Sequence, residues 1–159
     1  MITAYRLVHR VALGESPDPF RPLPHANRWN SADLQVAYTA ENVALAALEI
    51  MAHLGPRGRS MSGYQLFSIS FADDDFEDAT TQAPDIDTQD GDATTAYGDT
   101  WAKARRSLAL RVPSVVVPLS FNYIINPAHP RMSATTVQTH GAFEYDERIV
   151  RLAQRSGGL

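Results

Sequence analysis

The sequence contains no cysteine. Disulfides, zinc–thiolate sites, iron–sulfur clusters and a thiol nucleophile are therefore excluded. A long apolar run is also missing. No stretch approaches the roughly 20 apolar residues of a membrane-spanning helix. The opening MITAYRLVHRV lacks the apolar centre of a secretory signal, so a cytoplasmic protein with no membrane contact is expected. A basic footprint is absent as well: Asp and Glu number 18 against 14 Lys and Arg, for a net charge of −4. Direct nucleic-acid binding, which needs cations to neutralise phosphates, is disfavoured. The chain lacks G-x-G-x-x-G and G-x-x-x-x-G-K-S/T, so neither common nucleotide loop is supported. It also lacks the G-x-S-x-G elbow of serine hydrolases and the H-E-x-x-H zinc motif. Its five histidines are scattered without metal-ligand spacing, and no metal is expected.

What is present fits one ordinary domain over residues 1–159. Apolar residues make up 44% and charged residues 20%, enough to build a core and too little charge for disorder. Residues 2–8 (ITAYRLV) are rich in β-formers and read as a strand. Residues 14–27 carry four prolines and form a wrapping loop that ends at Arg28 and Trp29. Val36–Tyr38 is a short strand candidate. A helix then runs from about Ala40 to Leu54, because Val43, Ala46, Ala47, Ile50, Met51 and Leu54 recur on one face. Thr39 is its candidate N-cap, and Gly55–Pro56 its stop. Tyr64–Phe71 reads as a strand, and the acidic segment 73–92 as a solvated loop. A second helix spans Thr94–Ser107 with Gly98 inside it. Strands follow at Ala109–Val112, Val115–Leu119, Phe121–Ile125 and Val137–Tyr145, then a closing helix over Tyr145–Gln154 and a fraying end from Ser156. Strands outnumber helices without alternating with them. The expected fold is α+β, a mostly antiparallel, split or curved sheet with two or three packed helices.

Four residue types carry possible chemistry, each beside a plainer alternative. Glu49 lies on the line Leu45, Glu49, His53 that flanks the apolar helix face. A carboxylate at such a boundary is partly buried and must find a partner or a task; the plainer reading is a surface glutamate touching His53. Arg28 follows the proline-rich loop. Its guanidinium is shaped to hold phosphate with two parallel bonds, or else to hold loop carbonyls. Tyr38 ends a strand just before the Glu49 helix and can stack on a planar ligand or fill core. Ser114, in LRVPSVVVP, sits at a break fixed by Pro113 and points at a ligand or caps a turn.

Taken jointly, these residues carry a resemblance. RWNSADLQVAYTAENVALAALE at 28–49 and LRVPSVVVPLSFNYIINPAHP at 110–130 resemble the RES-domain toxins, named for an arginine, a glutamate and a serine. Those three map onto Arg28, Glu49 and Ser114. Further matching pieces are Tyr5–Arg6, Gly98–Trp101 (GDTW) and Asn126–Pro130 (NPAHP), all in order along the chain. The resemblance implies an ADP-ribosyltransferase-like fold that binds NAD in the cleft of a split sheet. It implies the toxin half of a type II toxin–antitoxin module, with an Xre-like antitoxin whose C-terminal part covers the cleft. NAD would be consumed as co-substrate, its ADP-ribose passing to a protein, water or phosphate. Within that scheme Glu49 stabilises positive charge on the ribose, Arg28 clamps the diphosphate with help from Arg6, and Tyr38 stacks on nicotinamide. Ser114 touches the ribose or orients Glu49, while His53 and Asn126 complete the binding set. The rival expectations are a non-catalytic partner-binding domain and, against the charge balance, a ribonuclease toxin.

Overall fold

A computed structural model describes residues 1–15, 18–20, 25–54 and 60–155. The Gly55–Pro56 stop, much of the proline-rich loop and the fraying end lie outside the described residues. Seven strands form one sheet: β1 (Ile2–His9), β2 (Ala37–Ala40), β3 (Tyr64–Phe71), β4 (Phe76–Asp78), β5 (Ala109–Pro113), β6 (Phe121–Ile125) and β7 (Thr136–Phe143). Their spatial order is β4-β5-β6-β2-β1-β3-β7. Every neighbouring pair is antiparallel except β4 with β5. Five helices accompany them among the described residues: α1 (Arg10–Leu13), α2 (Val43–Leu54), α3 (Ala79–Gln82), α4 (Gly91–Ala104) and α5 (Glu147–Arg155). The fold is α+β, as the scarcity of βαβ alternation implies.

Strand alternation sorts the core onto the two faces of the sheet. Ala109, Tyr123 and Ile125 join Ala4, Ile69 and Phe71 in one cluster. Leu110, Val112 and Ile124 join Trp29 and Trp101 in another. A third holds Leu7 and Ala40 against Leu45 and Ala46 of α2, which lays this helix across β1 and β2.

The sheet is weakest at the seam between β1 and β2. β1 matches β3 over eight consecutive residue pairs, from Ile2↔Phe71 to His9↔Tyr64, yet meets β2 in register only at Tyr5↔Ala40. The sheet is therefore continuous but parts beside that single junction, which is the split the patterning anticipates.

Several expectations need correction. Thr39 does not cap α2; it belongs to β2, and its hydroxyl donates to the Tyr123 carbonyl at 2.7 Å. Asn42 caps instead, its Oδ1 accepting from the Leu45 N–H at 2.8 Å. The buried stripe of α2 is also turned toward Leu45, which is 3% exposed and carries its Glu49 line inward. Segment 73–92 is not one loop. Asp75 is buried against Arg131, and β4 and α3 form within the segment. Val115–Leu119 is not a strand: Ser114 N–H donates to the Ser120 carbonyl at 2.8 Å, closing the segment into a tight excursion with Leu119 at φ 64°.

Candidate active site

A cavity of about 390 Å³ opens at the seam. It is of the size that small ligands occupy. Tyr5, Arg6 and Leu7 of β1 line it from one side and Tyr38, Thr39 and Ala40 of β2 from the other. The lining therefore follows both edges of the parting, where β1 and β2 lose their mutual pairing. α2 contributes Glu49, Ile50 and His53, and β6 contributes Asn122.

Glu49 is gripped by one oxygen from two sides. Its Oε1 accepts from the Ser114 hydroxyl at 2.8 Å and from the Asn122 side-chain N–H at 2.6 Å. Ser114 in turn accepts from the Val116 and Val117 N–H groups at 3.1 and 3.0 Å. A serine hydroxyl has one proton to give and two lone pairs. Ser114 uses all three, so its orientation is fixed and its proton is committed to Glu49. The excursion 114–120 thus aims Ser114 at the carboxylate, while the start of β6 supplies Asn122 beside it.

Arg6 is the cation of the cavity. Its Nη1 is buried and makes no hydrogen bond. The guanidinium carbon lies 5.9 Å from the Phe20 ring centroid. Burial pushes the group down to about 10, with the charge of Asp18 opposing, so it stays cationic at neutral pH. Asn122 Oδ1 is buried and unpartnered too. Unmade bonds of this kind each cost about 1–3 kcal/mol. Among the described residues these are the two buried side-chain atoms left without partners, and both belong to residues lining this one cavity. Tyr38 lines the cavity, while its hydroxyl accepts from the Trp29 N–H at 3.0 Å and donates to Asn30 Oδ1 at 2.8 Å. Burial raises its ionisation far above the usual phenol range, so it remains a neutral donor.

A carboxylate held by Ser114, a buried guanidinium and a tyrosine ring in a split sheet coincide with a match of the RES domain family model over residues 3–146. The chain belongs to the RES-domain family. Among relatives of this RES-domain chain, the Prs ADP-ribosylating toxin of Sphingobium sp. (strain YBL2) is 34% identical over 132 residues, spanning 79% of this chain and 81% of the relative. A Toxin Res of Yersinia enterocolitica is 30% identical over 152 residues, spanning 91% and 97%. A chain of the crystal structure of the M. tuberculosis MbcT–MbcA toxin–antitoxin complex shares the fold at TM-score 0.67 and 14% identity, covering 96% of this chain and 88% of that one.

The structure brings Glu49, Ser114, Tyr38, Arg6 and His53 of this RES domain to one place, or to its wall. His53 Nδ1 donates to the Glu49 backbone carbonyl at 3.0 Å and does not touch the carboxylate. Two residues stand elsewhere. The Arg28 guanidinium donates to the Thr88 carbonyl at 2.9 Å, and Arg28 does not line the cavity. Its charge still reaches the Tyr38 hydroxyl. Asn126 is placed as a turn former: its Nδ2 donates to the Ala102 carbonyl at 3.0 Å and its Oδ1 accepts from the Ala128 N–H at 3.1 Å. Each end of its amide holds a backbone group, and it is 3% exposed and outside the cavity lining. Asn122 escaped the sequence reading. Its signal was an asparagine inside a strand, a residue type that strands ordinarily exclude.

Proposed function

We propose that this protein is the toxin of a type II toxin–antitoxin pair, an enzyme that binds NAD at the seam cavity and breaks its nicotinamide–ribose bond. The ADP-ribose then passes to a protein, water or phosphate. One observation carries this reading: a carboxylate fixed through a single oxygen shares a cavity with a buried guanidinium that has an N–H to spare.

The chemistry suits those groups. Departure of nicotinamide from C1′ builds positive charge on the ribose, as in glycoside cleavage. A preorganised negative charge acts most strongly where charge develops, and typically supplies about 100-fold or more in rate. Ser114 and Asn122 occupy Oε1 of Glu49, which leaves Oε2 for a ribose hydroxyl and the developing cation. Arg6 meets the diphosphate with its unpaired Nη1. Tyr38 presents a ring face on which nicotinamide stacks, held in place by its hydroxyl bonds. We assign Arg28 as a second cation that leaves the neutral Thr88 carbonyl for a phosphate oxygen, a stronger charge-assisted partner. His53, at the rim, is assigned to the acceptor side. We assign Asn126 no contact with NAD and no metal to the reaction.

The family match and the toxin–antitoxin neighbour support an antitoxin partner, to which we assign the Xre-like kind and the place over the cleft that the resemblance implies. The relative named for ADP-ribosylation supports NAD as co-substrate. The test is expression of wild type and Glu49→Ala in bacterial cells, with NAD and ADP-ribosylated proteins measured together. Wild type should arrest growth while NAD falls or proteins gain ADP-ribose, and Glu49→Ala should do neither. Arrest with intact NAD and unmodified proteins would overturn the proposal and favour a partner-binding or ribonuclease activity.

A further inference from the structure

Asn122 does more than hold Glu49. Its side chain has two ends, and only one is used within the protein: Nδ2 donates to Glu49 Oε1 at 2.6 Å, while Oδ1 is buried and unpartnered on a residue lining the cavity. Ser114 makes the informative contrast. It grips the same Glu49 oxygen, but its hydroxyl is saturated by two backbone N–H groups and that carboxylate. One residue of the pair has nothing left for a ligand, and the other has an acceptor to spare. The register places Asn122 opposite Ala40, a residue with no side-chain donor to satisfy that oxygen.

An unmet buried acceptor is costly, and a ligand that fills the cavity can supply the missing donor. The bond between Asn122 and Glu49 sets a second acceptor, Glu49 Oε2, on the same unit. Two acceptors so joined suit two donors on neighbouring atoms, and the part of a dinucleotide with that pattern is a ribose cis-diol. We propose that Asn122 is a ligand-contacting specificity residue whose Oδ1 accepts the 3′-hydroxyl of the nicotinamide ribose, beside the 2′-hydroxyl engaged by Glu49. This rests on the NAD reading above. It makes the Glu49–Asn122 pair a reader of the intact diol, with Ser114 purely a positioning residue.

The two roles separate by experiment. Binding is measured with carba-NAD, in which a methylene replaces the oxygen of the nicotinamide ribose and the leaving bond is stable. Turnover is measured with NAD and with an analogue lacking the 3′-hydroxyl of that ribose. Ser114→Ala should cut turnover and leave carba-NAD affinity within about twofold. Asn122→Ala should cut turnover and also weaken carba-NAD by about 5–10-fold, the worth of one hydrogen bond. Wild type should lose a similar factor in kcat/KM when the 3′-hydroxyl is removed, and Asn122→Ala should lose almost nothing further, since the pair is already broken. Asn122→Ser, which keeps a polar group of shorter reach, is read the same way if the alanine variant does not fold. Equal carba-NAD affinity in wild type and the Asn122 variants, or full additivity with loss of the 3′-hydroxyl, would overturn the inference and leave the NAD reading standing. A wild type that neither binds carba-NAD nor consumes NAD would instead overturn the NAD reading itself.

Discussion

Glu49 looks like an ordinary helix glutamate in the sequence, with His53 one turn away as the obvious contact. The fold gives it different company. His53 reaches only the backbone carbonyl of Glu49, while Ser114 and Asn122, from 65 and 73 residues away, take hold of the carboxylate. Position on the helix flank was readable from period alone; the two partners were not, because nothing local links strand β6 or the 114–120 excursion to α2. The arginines make the converse case. Arg28 is the more conspicuous in sequence, yet Arg6 is the one whose unpaired N–H belongs to the cavity. Arg6→Ala should raise the NAD concentration needed for half-saturation by roughly 10–100-fold, the worth of a charge-assisted hydrogen bond. Arg6→Lys should recover only part of it, since an ammonium lacks the planar fork. Arg28→Ala should also weaken saturation. Saturation curves for the three variants check this, and an unchanged curve for Arg6→Ala would remove Arg6 from the binding set.

At the scale of elements, α4 decides where the site's outer wall stands. Thr94 and Thr95 hydroxyls donate to the Arg28 carbonyl at 2.7 and 3.1 Å, and Asp99 accepts from the Ser31 N–H at 2.9 Å. Gly98 lets the loop come this close. A Cβ there would sit 1.9 Å from the Trp29 carbonyl oxygen. In a solvent-facing helix Gly→Ala gains up to about 1 kcal/mol. Here Gly98→Ala should instead lower stability by about 1–3 kcal/mol, as overpacking does, and displace the Asn27–Tyr38 wall. Thermal or denaturant unfolding checks the sign, and a stabilised variant would contradict the packing. The glycine was visible within a helical stretch of the sequence, but its purpose was not, since the close approach is tertiary. The acidic segment misled for a related reason. Its charges are paired at a distance: Glu77 with Arg106 at 2.8 Å, Asp78 with Arg111 at 2.6 Å, and Asp75 with Arg131. Burial alone would raise the Asp78 carboxyl, but bonds from Thr80 and Arg111 outweigh it and hold it below its ordinary value of 3.8. A depressed folded value stabilises above the unfolded one and is lost as pH falls through the folded one. Asp78→Asn should therefore destabilise at neutral pH, with the difference from wild type closing as pH falls below about 4. Parallel unfolding curves at pH 7 and pH 3 measure it, and a gap of equal size at both would exclude the linkage.

For the whole molecule, the decisive feature is a sheet that is joined and parted along one seam. The α+β class and mostly antiparallel order were legible, because strands crowd the sequence without alternating helices. β3 was legible to the residue, since Phe67, Ile69 and Phe71 recur on one face after a glycine-rich stretch. The excursion 114–120 was not, because VVV has strand propensity while Pro118 and left-handed Leu119 turn the chain back. The single Tyr5↔Ala40 junction between β1 and β2 was invisible too, as pairing extent is set by packing on both neighbours. That parting allows Arg6 and Tyr5, on opposite faces of one strand, to border the same cavity. The catalytic proposal depends on Glu49 acting there as a fixed negative charge. The most direct measurement is nicotinamide release from NAD by purified wild type and Glu49→Gln, with NAD affinity followed in parallel. Glu49→Gln should bind NAD nearly as well as wild type and release nicotinamide about 100-fold more slowly, or worse. Wild-type release by Glu49→Gln would contradict the account.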